Sequence, residues 1–283
     1  MWQPPRRQVA AGSTTPPAVL SMLCPLLKVF SGGDPTAPRN RAWEVASSGL
    51  ASIARMPYGT SVRQDLLDIA PRPANLAPLV LYEFEACPFC RRVRETLSEL
   101  DLVAEVRPCP KESVVHRAEV LKMGGREQFP FLVDPNTPDG CEGMYESGDI
   151  VEYLYAQYGG GKENVPPGFL QSTLLTGWMP TLLRAGRGMT RHGTRAPSDP
   201  ALKLELWNYE GNQFARLVRE ALCELELPYV LKNAGKGSPR RAELVELTGG
   251  STTIPYLVDL NGAGKRIQDS EEAVRYLFDM YSS

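Results

Sequence analysis

Two cysteines in the first half of the chain have a spacing suited to thiol–disulfide chemistry. Cys87 and Cys90 enclose Pro88 and Phe89, and they stand between an alternating apolar run and a segment with helical periodicity. The first sulfur would therefore lie at the N-terminus of a helix, where free backbone N–H groups and the helix dipole stabilise a thiolate. This arrangement predicts Cys87 as the nucleophile and Cys90 as the resolving thiol.

Two other interpretations of this cysteine pair stay open. A Cys-x-x-Cys pair is also half of a zinc site, but no second pair of cysteine or histidine ligands stands nearby, so no metal is expected. The pair could also consist of two ordinary buried thiols. The strand–turn–helix context favours the redox interpretation.

Two further segments are candidate binding elements. Pro130 follows Phe129 at the start of a predicted strand; a cis peptide bond between them would hold the preceding backbone open for an extended peptide. Glu146 and Ser147 precede a predicted helix, whose free N–H groups, together with the Ser147 hydroxyl, could bind a small carboxylate. Helix capping alone would also explain the second pair.

The chain contains the same pattern twice. Residues 81–102 and 206–227 are identical at 11 of 22 positions when they are compared at an offset of 125. The same offset relates Pro130 to Pro255 and continues for more than 50 residues, which chance does not produce. Each copy has the order β-α-β-α-β-β-α, which predicts a small α/β sheet with helices on both faces.

The second copy lacks the sulfurs. Asn212 and Ala215 stand where the first copy has its two cysteines, so thiolate chemistry is impossible there. Pro255, Asp269 and Ser270 are retained, which leaves ligand binding open. The favoured interpretation is that the second copy retains the fold as a packing partner and has no chemistry of its own.

Charge and composition divide the chain into five segments. The predicted segments are a leader (1–42), an N-terminal extension (43–78), a first domain (79–158), an amphipathic linker (159–199) and a second domain (200–283). The linker has apolar residues at helical spacing followed by arginines, and Trp43–Arg55 predicts a similar, shorter helix. An interdomain clasp is the favoured role of the linker, with docking to a membrane surface or a partner as the alternatives.

Composition excludes several classes of protein. A net charge of -2 provides no basic field for nucleic acid, and no apolar run reaches the ~18–20 residues of a membrane span. Six cysteines are too few for a disulfide-stapled scaffold. Cys109, between two prolines, and Cys141, in a glycine-rich loop, are candidates for a regulatory disulfide, but bystander thiols are favoured; Cys223 is expected in the core. The first 33 residues contain no Asp or Glu, which is typical of organelle transit peptides and of disordered tails.

These residues carry a family resemblance. The Cys-Pro-Phe-Cys turn, the Phe129-Pro130 strand start and the Glu146-Ser147 pair resemble the glutaredoxin and glutathione S-transferase N-terminal branch of the thioredoxin fold. The resemblance extends over about residues 45–283 to tandem-domain, plastid-targeted proteins of photosynthetic organisms. It implies an α/β fold with two thioredoxin-like domains joined by a partly helical linker.

The resemblance also implies roles for individual residues. Cys87 would attack a disulfide or a glutathione mixed disulfide, the backbone at Phe129 before Pro130 would pair with the cysteinyl unit of glutathione, and Glu146 and Ser147 would hold its γ-glutamyl end. The implied activity is that of a glutaredoxin-like thiol–disulfide oxidoreductase, with glutathione as co-substrate and protein disulfides as partners. A non-catalytic glutathione- or protein-binding scaffold and a transferase-like protein are the alternatives, and iron–sulfur binding stays open although Pro88 disfavours it. The implied location is the chloroplast, in soluble or membrane-associated form.

Overall fold

A computed structural model describes residues 40–70, 75–137, 143–193 and 199–282. Most of the predicted leader, and with it Cys24, therefore lies outside the described residues, as does Cys141.

Helices and strands follow the predicted order in the second copy and, apart from the fourth strand, in the described part of the first. The first half contains α1 (Arg41–Ile53), α2 (Gln64–Ile69), β1 (Leu79–Glu83), α3 (Pro88–Glu99), β2 (Ala104–Pro108), α4 (His116–Gly124), β3 (Phe131–Val133) and α5 (Ser147–Tyr158). The linker contains a 3-10 turn (Lys162–Asn164), α6 (Phe169–Leu175) and α7 (Met179–Leu183). The second half contains β4 (Leu204–Asn208), α8 (Gln213–Glu224), β5 (Tyr229–Asn233), α9 (Arg240–Thr248), β6 (Tyr256–Asp259), β7 (Lys265–Ile267) and α10 (Ser270–Tyr281).

The strands of both copies form one continuous sheet. Its order is β3-β1-β2-β5-β4-β6-β7, so the copies join where β2 pairs antiparallel with β5. Ala104 lies opposite Leu231 and Val106 lies opposite Tyr229, and the offset of 125 residues interchanges these two pairs. The copies are therefore related by a pseudo-twofold axis through the centre of the sheet. The small sheet predicted for each copy is present, and the two are joined at this seam, which the sequence did not predict because the pattern within a strand does not reveal its neighbour at the sheet edge.

Alternating strand residues bury side chains on both faces of the sheet. Leu79 and Leu81 of β1 contact Val93 and Leu97 of α3 in one core, which also includes side chains of α5. Tyr82, on the other face, packs with side chains of α4 and β3. The second copy repeats this division. Each copy therefore has α/β architecture with helices on both faces, as the sequence predicts.

The fourth strand differs between the copies. In the second copy β7 pairs with β6, as predicted. In the first, the described residues retain only an isolated bridge between Leu132 and Met144. Residues 138–142, in the intervening loop, lie outside the description.

The N-terminal extension and the linker are a second repeated element. An offset of 129 relates Arg55 to Arg184 and Gly59 to Gly188. The Arg55 Nε donates to Glu95 on α3 at 2.7 Å, and the Arg184 Nε donates to Glu220 on α8 at 2.8 Å. The sequence comparison missed this repeat, because beyond these positions little identity survives.

We name these two segments the arms (residues 41–63 and 170–192). Each arm contacts the copy that does not directly follow it in the chain. Arg216 of the second copy donates to the carbonyl oxygen of Ser48 at 2.7 Å, and Arg91 of the first donates to that of Gly177 at 2.9 Å. Helix α1 packs against α7 and α8. The arms therefore hold both copies together, in agreement with the predicted clasp. Among the described helices, none has the length and apolarity required to cross a bilayer.

Charged side chains are buried where α3 and α8 meet. Arg94 Nε lies 2.8 Å from Glu210, and Arg219 Nε lies 3.1 Å from Glu85, so that each copy supplies an arginine to a carboxylate of the other. Arg94 also pairs with Glu83. All five side chains are at most 2 % exposed. Because buried charges require partners, each copy depends on the other for neutrality.

The isolated first domain should therefore not fold stably. A fragment of residues 79–158 exposes the edge of β2 and removes the carboxylate of Glu210 from Arg94. We expect no cooperative transition of the fragment in urea when circular dichroism is followed. Residues 40–283 should unfold in one transition, and a fragment with the same urea midpoint would contradict this prediction.

Candidate functional site

The Cys-Pro-Phe-Cys turn connects β1 to α3. Cys87 is the N-cap of α3, and its Sγ accepts a hydrogen bond from the backbone N–H of Cys90 at 3.3 Å. Pro88 occupies the first helical turn, where its missing N–H costs no hydrogen bond. Cys87 is 4 % exposed and Cys90 is fully buried, so Cys87 is the more accessible thiol.

The two thiols differ in acidity. Burial acts to raise the pKa of Cys87, but hydrogen bonds from the Cys90 side chain and from the N–H groups of Cys90 and Phe89 outweigh it, so that this pKa lies below that of an ordinary thiol. Burial and the neighbouring Cys87 sulfur raise the pKa of Cys90 well above its usual range. The pair therefore has the asymmetry required of a nucleophile and a resolving thiol.

The second arm lies against this turn. The hydroxyl of Thr181 donates to the carbonyl oxygen of Ala86 at 2.6 Å, and the ring of Trp178 meets that of Phe89 edge-on with centroids 6.1 Å apart. The linker thus contributes an aromatic wall beside the redox pair, which sequence spacing did not reveal.

Phe129 and Pro130 immediately precede β3, and the peptide bond between them is cis. Pro130 is buried, and the ring of Phe129 lies edge-on to Phe84 with centroids 6.4 Å apart. Within the described part of the chain, the backbone N–H and C=O of Phe129 form no hydrogen bond. They are free to pair with an extended ligand.

Glu146 and Ser147 are joined to the other two segments by hydrogen bonds. Glu146 accepts from the Nε2 of Gln128 at 2.6 Å, beside Phe129. Ser147 begins α5, is 5 % exposed and accepts a hydrogen bond from Arg92 of α3. The three segments singled out in the sequence therefore meet at one place, with Arg92 as a member that the sequence analysis did not assign to ligand binding.

Arg91, Cys109 and Cys223 are buried in the interior of the protein. Arg91, which follows Cys90 directly, is buried and pairs with Glu210 across the copies, with nitrogen and oxygen 3.4 Å apart. Cys109 and Cys223 are buried, and burial raises the pKa of both thiols well above the usual range. Cys109 is therefore buried away from solvent, and Cys223 lies in the interior as expected. No group of three or more His, Cys, Asp or Glu side chains within the described ranges is arranged to hold a metal.

In the second copy, side chains of the chain itself cap both helices at the corresponding place. Asn212 accepts from the N–H of Ala215 at 2.8 Å, and Asp269 accepts from the first turn of α10. The Ile254–Pro255 peptide bond is also cis. The fold of the site is kept, but Asp269 caps the last helix of the second copy, whereas no side chain caps α5 in the first.

Glu83 should control the acidity of both redox thiols. Burial raises its pKa to about 7, and its ionised carboxylate raises the pKa of Cys87 and of Cys90. In the Glu83→Gln variant, both thiol pKa values should therefore decrease above pH 7, where Glu83 is ionised. The rate of iodoacetamide alkylation against pH measures the change at Cys87. The exposed Glu152→Gln is the matched control, and an unchanged profile in Glu83→Gln would contradict the prediction.

Comparison with known proteins agrees with this geometry. The family of glutathione S-transferase N-terminal domains matches residues 81–162 and again residues 206–283, together more than half of the chain. Comparisons with curated proteins and with solved structures gave no match. The chain therefore belongs to the glutathione S-transferase N-terminal domain family, and it contains two copies of that thioredoxin-like domain in tandem.

Proposed function

We propose that the protein is a glutathione-linked thiol–disulfide oxidoreductase that acts through Cys87, with Cys90 as the resolving thiol. The observation that carries the proposal is the geometry of the pair: the Cys87 sulfur caps α3 and accepts the N–H of Cys90, whereas Cys90 is fully buried, and the pKa of Cys87 is accordingly lowered and that of Cys90 raised. The membership in a glutathione-related family supports glutathione as the co-substrate.

The reaction begins with the Cys87 thiolate attacking the glutathione sulfur of a protein–glutathione disulfide. A bond forms between Cys87 and glutathione, and the protein thiolate leaves. A second glutathione thiolate then attacks the glutathione sulfur of this mixed disulfide, which releases oxidised glutathione and restores Cys87. Alternatively Cys90, once deprotonated, attacks the Cys87 sulfur, expels glutathione as a thiolate and leaves a Cys87–Cys90 disulfide for external reduction.

Glutathione would bind along the three segments that meet at the site. The free backbone of Phe129, before Pro130, pairs with the cysteinyl unit of the peptide. Glu146 and Ser147 hold the γ-glutamyl end at the start of α5. Glutathione is a substrate in this scheme, and no metal takes part.

A coupled assay tests the proposal directly. The full chain should reduce the mixed disulfide of glutathione and 2-mercaptoethanol in the presence of glutathione, glutathione reductase and NADPH. An iodoacetamide profile with a midpoint below that of a free thiol should accompany this activity. A wild-type chain without turnover would reject the redox function.

The second candidate is a protein-binding scaffold, and exposed apolar side chains on the arms favour it. Large apolar residues of α1, α6 and α7 and of the turn after α1 face the solvent, namely Trp43, Leu50, Ile53, Met56, Leu174, Leu175, Met179 and Leu182. A scaffold would act without Cys87. Restoration of a deletion phenotype by the Cys87→Ser chain would therefore favour the scaffold, and failure of that chain would favour the enzyme.

The proposed location is the chloroplast. It is supported by the acid-free first 33 residues and by the resemblance to plastid-targeted tandem proteins. A fusion of residues 1–42 to a fluorescent protein should enter plastids, and a diffuse cytosolic signal would contradict this location.

A further inference from the structure

The start of α5 has no side-chain cap, whereas α3, α8 and α10 are capped by Cys87, Asn212 and Asp269. No side chain accepts a hydrogen bond from the first turn of this 12-residue helix, because the Glu146 carboxylate is turned toward Gln128. Within the described residues, the N–H groups of Gly148 and Asp149 have no acceptor. These donors and the helix dipole favour an anion at this position.

The second copy contains an anion at the corresponding position. At the start of α10, one carboxylate oxygen of Asp269 accepts from the N–H groups of Glu271 and Glu272, both at 2.9 Å. The other oxygen lies 3.1 Å from a guanidinium nitrogen of Arg41. A carboxylate is therefore held between a helix N-terminus and an arginine.

The first copy has the arginine but not the carboxylate. Arg92 is 8 % exposed and donates to the Ser147 hydroxyl and, at 2.8 Å, to the carbonyl oxygen of Leu170. Its Nε is buried and has no acceptor among the residues that the structure describes. An Nη2 atom of the same guanidinium lies 3.9 Å from the point where a Cβ on Gly148 would stand, so the group faces the uncapped turn. By the offset of 125, the second copy has Leu217 in place of Arg92.

We infer that Arg92 is a specificity-determining residue that binds a carboxylate of the substrate against the first turn of α5. The ligand carboxylate binds the first-turn N–H groups of α5, as Asp269 binds those of α10 in the second copy. Arg92 pairs with this carboxylate as Arg41 pairs with Asp269. The inference rests on the proposed function for the identity of the ligand: in glutathione, the group is the α-carboxylate of the γ-glutamyl unit. Ligands without that unit should gain nothing from Arg92.

Calorimetric titration with two ligands tests this inference without any redox step. S-methylglutathione carries the γ-glutamyl carboxylate, and S-methyl-cysteinylglycine does not. In Arg92→Leu, which introduces the residue of the second copy, the Kd for S-methylglutathione should rise at least about tenfold, as expected for loss of a charged hydrogen bond. The Kd for S-methyl-cysteinylglycine should stay unchanged. The same substitution at an exposed arginine of α10, Arg275→Leu, is the matched control and should leave both constants unchanged.

A second variant keeps the test decisive if Arg92→Leu does not fold. Arg92→Lys retains the charge but not the planar guanidinium group. Its Kd for S-methylglutathione should therefore be higher than that of the wild type, but binding should still be detectable. Wild-type affinity for S-methylglutathione in a folded Arg92→Leu chain, or an equal loss for both ligands, would overturn the inference.

The outcomes also separate this inference from the redox proposal. A wild-type chain that binds S-methylglutathione in an Arg92-dependent manner, but does not reduce mixed disulfides, would reject the oxidoreductase and support the role of Arg92. A chain that reduces mixed disulfides equally well with Arg92 or Leu at this position, with no change in KM, would retain the enzyme and overturn the role of Arg92.

Discussion

Replacement of Cys87 by serine should lower the reduction of glutathione mixed disulfides by on the order of a thousandfold or more. A serine hydroxyl is not ionised at working pH and forms no disulfide, so neither the attack nor the covalent intermediate is available. The coupled NADPH assay measures this loss. Circular dichroism should show that the variant is folded, because serine at the N-cap still accepts the hydrogen bond from Cys90.

Cys90→Ser is the matched variant for this experiment. The route through a second glutathione needs only Cys87, so activity on a glutathione mixed disulfide should stay within about tenfold of the wild type. The route through an intramolecular disulfide should be lost, and with it the reduction of disulfides within one protein. Equal activity of Cys87→Ser and the wild type would reject Cys87 as the nucleophile.

The activity should also depend on pH in a defined direction. The pKa of Cys87 is below that of an ordinary thiol, so the thiolate forms at a lower pH than in a free cysteine. Activity should therefore rise with pH and reach its plateau before a free thiol would be ionised. A midpoint at or above that of a free thiol would contradict the hydrogen-bonded thiolate.

Glu210→Ala should lower the free energy of unfolding by about 3–5 kcal/mol, the range found when one partner of a buried ion pair is removed. The side chain of Glu210 is 2 % exposed and faces three arginines: Arg94 at 2.8 Å, Arg219 at 3.0 Å and Arg91 at 3.4 Å. Its removal leaves their positive charges buried with too few carboxylates. Urea denaturation followed by fluorescence measures the loss.

An exposed ion pair provides the control. Asp65 pairs with Arg63 at 2.6 Å but its side chain is 61 % exposed, so Asp65→Ala should change the free energy of unfolding by less than about 1 kcal/mol. Equal effects of the two substitutions would show that the buried network contributes no more than a surface pair.

The same network predicts that the free energy of unfolding decreases at acidic pH. Burial acts to raise the pKa of Glu210, but Arg219 and Arg94 outweigh it and lower this pKa to about 2, against an ordinary value of 4.5. A carboxyl group whose pKa is lower in the folded state stabilises the fold above its unfolded pKa, and this stabilisation is lost as the pH falls through the folded value. Stability should therefore decrease between pH 4.5 and pH 2 in the wild type. The decrease should be smaller in Glu210→Ala.

The duplication gives this protein an internal comparison between a copy with the cysteine pair and a copy without it. The two copies share the fold, the cis proline and the serine that begins the last helix. They differ in the residues that meet a ligand: Cys87 against Asn212 at one helix start, and an open turn against Asp269 at the other. The second copy instead provides carboxylates and arginines that the buried network of the first requires.

The sequence alone determined the local features. The spacing of Cys87 and Cys90, the apolar periodicities and the offset of 125 predicted the elements, the duplication and the strand-to-helix turn that contains the cysteine pair. These features depend on residues close together in the chain or on a comparison of two stretches, which are readable without coordinates.

Only the tertiary structure decided which distant groups meet. The periodicity of α3 identifies its apolar side but cannot show that its charged side is buried against α8, since a solvated face has the same pattern. The antiparallel pairing of β2 with β5 and the contact of Arg92 with Ser147 depend on chain segments separated by many residues. Such contacts are set by packing of the whole molecule, because each side chain's partner is chosen in space rather than along the sequence.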